Sequence, residues 1–386
     1  MQKKLKILFV TNNYTPYSGG VVNSINAFMQ ELRKQGHDVY IVTLDFLGDQ
    51  HKDPGFVFRV PCPIKFLFKK KHFAVPLRVF NYMRNVVDDL KPDIIHSHHP
   101  FLLGRVAAKI AEKKSIPIIF THHSLYDQWT HLVPLPSFLT QSVIKLYVKN
   151  YCDTVTGIIA PSSSVKDYLH QQGITTPITV NPSCIQDIFY PEKTFSLKEK
   201  SIKRPFHLLS VTRFSEEKNV PFLIDLLSVL IKQNIDCTMT LVGYGSLWED
   251  MNNYASEQLK IPHEKITFIH KPSKETVEKI YQDADCFIFS SITDTQGLVL
   301  AEAMAAGTPV LALDGPGPRD IIINGKNGFI VHNQKEMISA IERVMYDESL
   351  FETMQYNAWK KSHDYKASVL SCKLLEFYNV MVKNHL

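Results

Sequence analysis

Short apolar segments alternate with amphipathic segments of helical period along the whole chain. In the first half, the apolar segments predict strands near residues 5–10, 38–43, 93–97, 116–121, 157–160 and 177–180. The second half repeats the pattern, with predicted strands near residues 206–212, 237–242, 265–269, 286–290, 309–313 and 329–331. Strands that alternate with helices indicate βαβ units, so we predict an α/β protein with doubly wound, Rossmann-like parallel sheets.

A charged stretch with few apolar residues, 191–205, separates the two halves and is typical of a linker. We therefore predict an N-terminal domain at residues 1–190 and a second domain at 205–365. The last helical pattern, about 348–385, is long enough for residues 366–386 to return to the first domain. Two doubly wound domains that face a cleft bind ligands there, at the carboxyl ends of their strands.

The composition is that of a soluble globular protein, with 45% apolar and 21% charged residues. No apolar run approaches the ~18 residues of a membrane-spanning helix, and the apolar segment at the amino end is shorter than a signal-peptide core. The six cysteines include no C-x-x-C pair, so we predict neither a disulfide framework nor a thiolate zinc site. Together these features predict a cytoplasmic location.

Charge is distributed unevenly along the chain. Residues 1–185 carry 21 Lys and Arg against 12 Asp and Glu, whereas the remainder carries 22 against 26. Residues 54–87 hold seven Lys and Arg, seven Phe and Tyr, and no acidic residue. Because cations attract anionic lipid and aromatic rings enter the interface, we predict reversible binding to the cytoplasmic face of a membrane. A solvated basic loop and a nucleic-acid site are the alternatives. The residues assigned to membrane contact are Lys65, Phe66, Phe68, Lys69, Lys70 and Lys71.

The most specific polar signal is the sequence Asp-Thr-Gln-Gly-Leu-Val-Leu-Ala-Glu at residues 294–302. If a helix begins near Gln296, the free amides of Gly297, Leu298 and Val299 point out of its amino end. There the helix dipole favours an anion or an electron-rich hydroxyl, and a glycine lets the ligand approach the backbone. The pattern therefore predicts a ligand site at this helix.

Two acidic residues flank the amino end of this helix. Asp294 lies in the loop ahead of the helix and Glu302 about two turns downstream, so they can reach different parts of one elongated ligand. Carboxylates that accept hydrogen bonds from hydroxyl groups suit sugars and riboses. The alternative interpretation is that Asp294 only caps the helix and that Glu302 lies on a solvated face.

Cations and glycines follow other predicted strands. Arg213 and Lys218 leave a strand and enter a helix, where a guanidinium fork and an ammonium can clamp a diphosphate; a solvated basic pair is the alternative. The sequence Gly243-Tyr244-Gly245 predicts a tight turn after the next strand. In the first half, Gly19 and Gly20 open a helix and can bring amides against a phosphate. Neither the dinucleotide nor the P-loop glycine spacing is present, so NAD and ATP are not the leading ligands.

Histidines cluster after two predicted strands of the first half. A metal site is one interpretation, because imidazoles at neighbouring strand ends can meet. None has the i, i+4 spacing of zinc hydrolases, so we favour hydrogen bonding to a polar substrate and predict no metal. The histidines concerned are His96, His98, His99, His122 and His123.

In this order, these elements resemble the retaining glycosyltransferases of family 4, whose GT-B fold consists of two Rossmann-like domains facing a cleft. The resemblance covers nearly the whole chain. It implies that Asp294 contacts the transferred sugar, that Glu302 contacts the donor ribose, and that Arg213 and Lys218 hold the nucleotide diphosphate. It also implies retention of anomeric configuration without a metal ion or a cofactor.

The resemblance also assigns residues of the first domain. It implies that Gly20 lies near the donor phosphates and His123 beside the reacting sugar. The catalytic residues implied are His123, Asp294, Arg213 and Lys218. The donor-binding residues predicted from the residues and the resemblance together are Gly19, Gly20, Arg213, Lys218, Gly243, Gln296, Gly297, Leu298, Val299 and Glu302.

The sequence departs from the family pattern at three positions. The first acid is usually Glu and here is Asp294, and Cys184 and Gln186 replace a Gly and an Asp of the family. In contrast, residues 295–298, 121–126 and 131–136 resemble the subgroup that glucosylates diacylglycerol at bacterial membranes.

We therefore predict a hexosyltransferase that uses a nucleotide sugar, with UDP-glucose favoured, and a lipid acceptor at a membrane surface. A soluble or polysaccharide acceptor is one alternative, and a nucleotide-sugar-binding protein without transferase activity is another. No pattern in the sequence predicts an oligomeric state.

Overall fold

The computed structural model describes residues 3–17, 19–46, 54–68, 71–126, 137–190, 195–198 and 204–385. The chain divides into two compact units. The first unit comprises Met1–Cys184 together with Ala367–Leu386, and the second comprises Ile185–Lys366. In the part of the chain that is described, no helix has both the length and the apolar character needed to cross a membrane.

The first unit is built around a seven-stranded parallel sheet. The strands of this sheet are β1 (Lys6–Val10), β2 (Asp38–Leu44), β3 (Val57–Val60), β6 (Ile94–Ser97), β7 (Ile118–Thr121), β8 (Gly157–Ala160) and β9 (Ile178–Val180). Strands β4 (Ile64–Phe68) and β5 (Lys71–Val75) form a separate antiparallel hairpin. The order across the seven-stranded sheet is β3-β2-β1-β6-β7-β8-β9. The helices are α1 (Gly20–Lys34), α2 (Val79–Leu90), α3 (Leu103–Lys114), α4 (Ser137–Cys152) and α5 (Ser163–Gln171).

The second unit contains a six-stranded parallel sheet. Its strands are β10 (Phe206–Arg213), β11 (Cys237–Tyr244), β12 (Ile266–His270), β13 (Cys286–Phe289), β14 (Val310–Leu313) and β15 (Gly328–Val331), in the order β12-β11-β10-β13-β14-β15. The helices are α6 (Val220–Lys232), α7 (Trp248–Asn253), α8 (Lys274–Asp283), α9 (Leu298–Ala305), α10 (Pro316–Ile321), α11 (Gln334–Tyr346) and α12 (Glu348–Ser362). The last helix, α13 (Ala367–His385), belongs to the first unit.

Both sheets are covered on both faces, which is why their strands are continuous apolar runs. Successive residues of one strand enter different hydrophobic clusters because side chains alternate across a sheet. In β1, Leu8 lies in one cluster of the first unit and Phe9 in the other. In β10, Leu208 and Leu209 divide in the same way between the two clusters of the second unit. Each unit is therefore doubly wound.

Helix α13 is an integral part of the first unit. Leu370, Leu374 and Tyr378 are buried in the cluster that also contains the apolar face of α1. The Tyr378 hydroxyl lies 2.5 Å from Nδ1 of His96, at the carboxyl half of β6. The chain thus completes its first unit with its last helix.

The predicted fold class, two doubly wound parallel-sheet domains, is confirmed. Each predicted strand is present, with ends that differ by no more than two residues. Strands β3, β4 and β5 were not predicted, because their basic and aromatic residues mask the period of two. The helical pattern predicted over 348–385 is interrupted, since the short 3₁₀ helix His363–Tyr365 separates α12 from α13.

Leu374→Ala is expected to lower the free energy of unfolding by about 3 kcal/mol, because it leaves a cavity where α13 contacts the first unit. The control is Val380→Ala on the same helix, where the side chain is 49% exposed, and which should change stability by less than about 0.5 kcal/mol. Urea unfolding of both variants measures the difference. Equal effects would contradict the packing of α13 described above.

Candidate functional site

Three predicted residues of the second unit, Arg213, Lys218 and Asp294, lie at or just after the carboxyl ends of β10 and β13. These strands are neighbours, and the sheet continues through β11 and β12 on one side and through β14 and β15 on the other. Chains leave such a point in opposite directions, which opens a crevice where doubly wound sheets bind ligands. Arg213 is the last residue of β10, Lys218 lies in the loop that follows it, and the loop after β13 carries Asp294 and leads into α9.

Lys218 and Asp294 form the central contact of this loop pair. Their Nζ and Oδ2 atoms lie 2.6 Å apart, and the two side chains are 13% and 23% exposed. Burial by itself would raise the pKa of Asp294, but the Lys218 ammonium and the backbone amides of Gly297 and Gln296 outweigh it and lower that pKa. Asp294 is therefore ionised at neutral pH, and its contact with Lys218 joins two loops across 76 residues of sequence.

The other carboxylate oxygen of Asp294 accepts hydrogen bonds from two backbone amides. Its Oδ1 lies 3.2 Å from the amide nitrogen of Gly297 and 3.4 Å from that of Gln296. Helix α9 begins at Leu298, two residues after the predicted start near Gln296, and Gly297 precedes it with φ of 70°. The Gly297 amide is thus already used by Asp294, while Leu298 and Val299 occupy the first turn. Asp294 therefore holds the backbone of the loop that leads into α9, and it also carries the ion pair.

Two serines that sequence reasoning missed hold the loop after β10 in place. Ser290 donates a hydrogen bond to the carbonyl of Lys218 at 2.8 Å, and Ser291 donates one to the carbonyl of Glu217 at 2.9 Å. Both serines are buried at the end of β13. Polar residues directly after an apolar strand were the available signal, but nothing in the sequence identified their partners.

Arg213 remains largely exposed at the end of β10. Its guanidinium makes one contact among the described residues, with Glu217 at 3.3 Å, and its side chain is 62% exposed. An exposed ion pair of this kind is weak. The guanidinium can therefore exchange Glu217 for a phosphate with little loss of stability.

Glu302 lies on α9 and is not on a solvated face. Its Oε2 accepts a hydrogen bond from the Tyr281 hydroxyl at 3.0 Å. Burial raises the pKa of Glu302 to about 7, although the Tyr281 hydroxyl and the charge of Lys274 act in the opposite direction. The two acids at the ends of the 294–302 segment are therefore held in different states, since the pKa of Asp294 is lowered.

Gly243 and Tyr244 are the last residues of β11, so the predicted turn begins after Tyr244 and not at Gly243. A Cβ atom at Gly243 would lie 1.8 Å from the carbonyl oxygen of Thr212 on β10. The glycine is required by the close approach of two strands. Whether it contacts a ligand stays a prediction.

The first unit carries the histidine cluster at the ends of β6 and β7. Nδ1 of His98 lies 2.9 Å from Nε2 of His123, and Nε2 of His96 lies 2.6 Å from Oγ1 of Thr121. His99 accepts a hydrogen bond from the amide of Asn12 at 3.2 Å. Burial lowers the pKa of His96 to about 3 and of His99 to about 4, and lowers those of His98 and His123 as well.

These imidazoles are neutral hydrogen-bonding groups that contact one another and the ends of strands. In the described ranges, no group of three His, Cys, Asp or Glu residues is placed to hold a metal ion. Asp285 accepts two hydrogen bonds from Arg204, at 2.6 and 2.7 Å, and one from the amide of His207. It connects strands and does not face a ligand site.

Gly19 and Gly20 lie at the amino end of α1. Gly19 is the residue before the helix and Gly20 is its first residue. A Cβ atom at Gly20 would meet no atom within 4 Å, so this part of the helix end borders open space. A 15-residue helix with unhindered first-turn amides is suited to an anion.

The residues assigned to membrane contact belong to the β4–β5 hairpin, except that Lys69 and Lys70 lie outside the described residues. The register places Phe66 opposite Phe73 and Phe68 opposite Lys71. The Lys65 ammonium lies 3.2 Å from Oδ2 of Asp45. Its charge is therefore partly compensated within the protein.

Lys218→Met should destabilise the protein by about 2 kcal/mol at neutral pH, because it leaves the partly buried Asp294 carboxylate without its cation. Because the pKa of Asp294 is lower in the folded state, its ionised carboxylate stabilises the folded protein at pH values above the unfolded pKa of about 3.9. This stabilisation is lost as the pH falls through the folded pKa. The difference between variant and wild type should therefore narrow below about pH 4.

Urea unfolding over a pH series measures this difference. Arg213→Met is the matched control, since it removes an exposed ion pair in the same loop and should change stability by less than about 0.5 kcal/mol. A deficit for Lys218→Met that stays constant from pH 7 to about pH 3 would contradict the role assigned to the pair.

Comparison with known proteins places this geometry in a family. The model described as Glycosyltransferase Family 4 matches residues 18–187, and that of Glycosyl transferases group 1 matches residues 192–361. The chain is 28% identical to an alpha-monoglucosyldiacylglycerol synthase of Streptococcus pneumoniae over 94% of this chain and 85% of that protein. It is 26% identical to the enzyme of the same name from Acholeplasma laidlawii, covering 99% and 98%.

Solved structures share the fold. Sucrose-phosphate synthase from Thermosynechococcus elongatus superposes with a TM-score of 0.78 at 16% identity, over 99% of this chain and 100% of that one. HepE of Anabaena, solved in complex with UDP, gives a TM-score of 0.75 at 17% identity, over 97% and 100%. Together with the two matched family models, these results show that the chain belongs to the family 4 glycosyltransferases of the GT-B fold.

Proposed function

We propose that this glycosyltransferase transfers a hexose from a nucleotide sugar, with UDP-glucose as the favoured donor, to diacylglycerol or a related lipid at a membrane surface. The α configuration of the donor is retained in the product, and no metal ion takes part. The observation that carries the proposal is the Lys218–Asp294 pair at the amino end of α9, with the exposed Arg213 at the end of β10, the strand that the loop of Lys218 follows.

This arrangement suits the departure of a nucleoside diphosphate. Negative charge develops on the diphosphate oxygen as the bond to the sugar breaks, so fixed cations lower the barrier. Arg213 offers a guanidinium fork from the end of β10, and Lys218 offers a point charge held by Asp294. The serine hydrogen bonds described above keep the loop of Lys218 in place, so little reorganisation is needed when the charge develops.

The two carboxylates suit the two sugars of the donor. Asp294 is ionised, and its Oδ2 accepts one hydrogen bond from Lys218 and has a further lone pair, so it can accept a hydrogen bond from a hydroxyl of the transferred hexose. Glu302 has one oxygen held by Tyr281, which leaves the other for a ribose hydroxyl. In the first unit, the neutral imidazole of His123 can form a hydrogen bond with the reacting sugar.

The names of related proteins support the proposed donor and the proposed acceptor. Two relatives that match over nearly the whole chain are named alpha-monoglucosyldiacylglycerol synthases. HepE, which has the same fold, has also been solved with UDP-glucose. The basic and aromatic β4–β5 hairpin, with Ile64 53% and Val75 40% exposed on paired positions, fits contact with a lipid surface.

A second candidate function has its own support. A GDP-mannose-dependent alpha-mannosyltransferase of Corynebacterium glutamicum is 26% identical over 97% of this chain and 89% of that protein. The same cations and carboxylates would then hold GDP-mannose. A panel of donors separates the two candidates.

The purified protein, given radiolabelled UDP-glucose, UDP-galactose, UDP-N-acetylglucosamine or GDP-mannose with diacylglycerol in mixed micelles, should label lipid from UDP-glucose. Arg213→Met should lower kcat/KM by about a hundredfold, because it removes one cation from the leaving group. Lys232→Met on α6, a lysine at the far end of the helix that follows this loop, is the control.

Proton NMR of the product determines whether the anomeric bond is α. Label that enters lipid only from GDP-mannose would support the second candidate. Donor binding without labelled product in any lipid or lipid extract would favour a nucleotide-sugar-binding protein without transferase activity.

Replacement of Lys69, Lys70 and Lys71 by Gln should weaken association with vesicles containing phosphatidylglycerol by about a hundredfold, at about 1 kcal/mol for each charge lost. Flotation of the protein with and without anionic lipid measures this association. The matched control carries the same change at three exposed lysines of the second unit, Lys326, Lys335 and Lys360.

Equal losses in the two triple variants would show a non-specific effect of net charge. Association that does not depend on anionic lipid would contradict the membrane part of the proposal. A soluble acceptor would then be the better candidate.

A further inference from the structure

Tyr281 is a buried residue that the reaction scheme above does not use. Its side chain is fully buried near the end of α8, and its ring packs edge-on against Phe189, with centroids 5.7 Å apart. Its hydroxyl donates to Oε2 of Glu302 at 3.0 Å. A buried tyrosine needs a partner for its hydroxyl, and here the partner is the carboxylate assigned to the donor ribose.

The backbone of Tyr281 is also held. Its carbonyl oxygen accepts hydrogen bonds from Nζ of Lys198 at 3.1 Å and from Oγ1 of Thr308 at 2.8 Å. The Lys198 ammonium also reaches the carbonyl of Ala284, so it satisfies two carbonyls at the carboxyl end of α8. Tyr281 is thus held both at its side-chain hydroxyl and at its backbone carbonyl.

The surroundings of Glu302 contain few other groups that could orient it. In the described part of the chain, the charged or titratable groups that act on this carboxylate are Tyr281 and Lys274, and both lie on α8. Among the residues that the structure describes, Tyr281 is the one recorded to donate a hydrogen bond to this carboxylate. One hydroxyl therefore decides which carboxylate oxygen faces the protein and which is left for a ligand.

We propose that Tyr281 is a positioning residue for donor binding, which orients Glu302 and favours its ionised form so that the free oxygen accepts from a ribose hydroxyl. This inference rests on the proposed function, because it takes a ribose as the ligand of Glu302. Lys198 and Thr308 support the same arrangement by fixing the backbone of Tyr281.

The first test is the titration of Glu302 in Tyr281→Phe, a change that keeps the ring and removes the hydroxyl. Carbon-13 NMR of the full chain labelled at glutamate carboxyls reads the pKa, and Glu302→Gln assigns the signal. The wild-type carboxyl should titrate at about 7. Loss of a donor to the charged form should raise that pKa by about one unit.

The second test is the affinity of the same variant for UDP-glucose, whose diphosphate does not titrate near neutral pH. If only the ionised carboxylate binds the ribose well, affinity should increase as the pH rises through the pKa of Glu302. A one-unit increase in that pKa reduces the ionised fraction at pH 7 from about a half to about a tenth, which predicts about a fivefold loss of affinity there. The loss should disappear by about pH 9.

Tyr254→Phe is a matched control, because the Tyr254 hydroxyl donates to Oδ1 of Asp225 at 2.7 Å in the same unit. This variant removes the same kind of bond and should leave both the Glu302 titration and the affinity profile unchanged. A merely structural role for Tyr281 would lower stability without moving the pH midpoint.

An unchanged Glu302 pKa in Tyr281→Phe would overturn the inference, and so would a raised pKa that the affinity midpoint does not follow. In both cases the wild-type protein binds UDP-glucose and the proposed function stands. Failure of the wild-type protein to bind any nucleotide sugar would instead contradict the proposed function itself.

Discussion

The Asp294 carboxylate is held between the Lys218 ammonium and the amides that precede α9, and the rest of the candidate site depends on this contact. A partly buried carboxylate is costly unless it is paired and hydrogen-bonded. Here the pairing joins the loop after β10 to the loop after β13. The same ion pair therefore sets the position of a cation, an acid and the amino end of a helix, three features that the binding of a sugar diphosphate requires.

The environments of the two acids at either end of the 294–302 segment explain how one short sequence serves two tasks. Asp294 has a cation and two amides nearby, so its pKa is lowered. Glu302 has a single hydroxyl and a distant lysine, so burial dominates and its pKa is raised to about 7. A group that is charged at neutral pH and a group that ionises near neutrality thus lie at the two ends of this segment. Such divergence is common where ligands bind.

Much of the fold could be predicted from the sequence, because parallel strands buried on both faces are continuous apolar runs that stand out between helices. The hairpin β4–β5 could not, since its basic and aromatic residues do not alternate clearly between apolar and polar. The pairing of Lys218 with Asp294 was also not predictable. Each residue was identified, but contact across 76 residues depends on the sheet order.

The roles of Gly243 and Tyr281 were the least predictable. Gly243 was identified as a turn, but its backbone approaches β10 too closely for any side chain, a fact of tertiary packing. Tyr281 was overlooked because a tyrosine in an amphipathic helix normally indicates core, and its hydroxyl partner lies on another helix. Hydrogen bonds between different helices and strands cannot be predicted from the pattern of a single sequence.

A crystal structure of the full chain with UDP tests the central claim most directly. The account predicts the diphosphate within hydrogen-bond distance of the Arg213 guanidinium and the Lys218 ammonium, and the ribose hydroxyls on the oxygen of Glu302 that Tyr281 does not hold. A diphosphate bound elsewhere, with the Lys218–Asp294 pair untouched and Glu302 without a ribose contact, would contradict it.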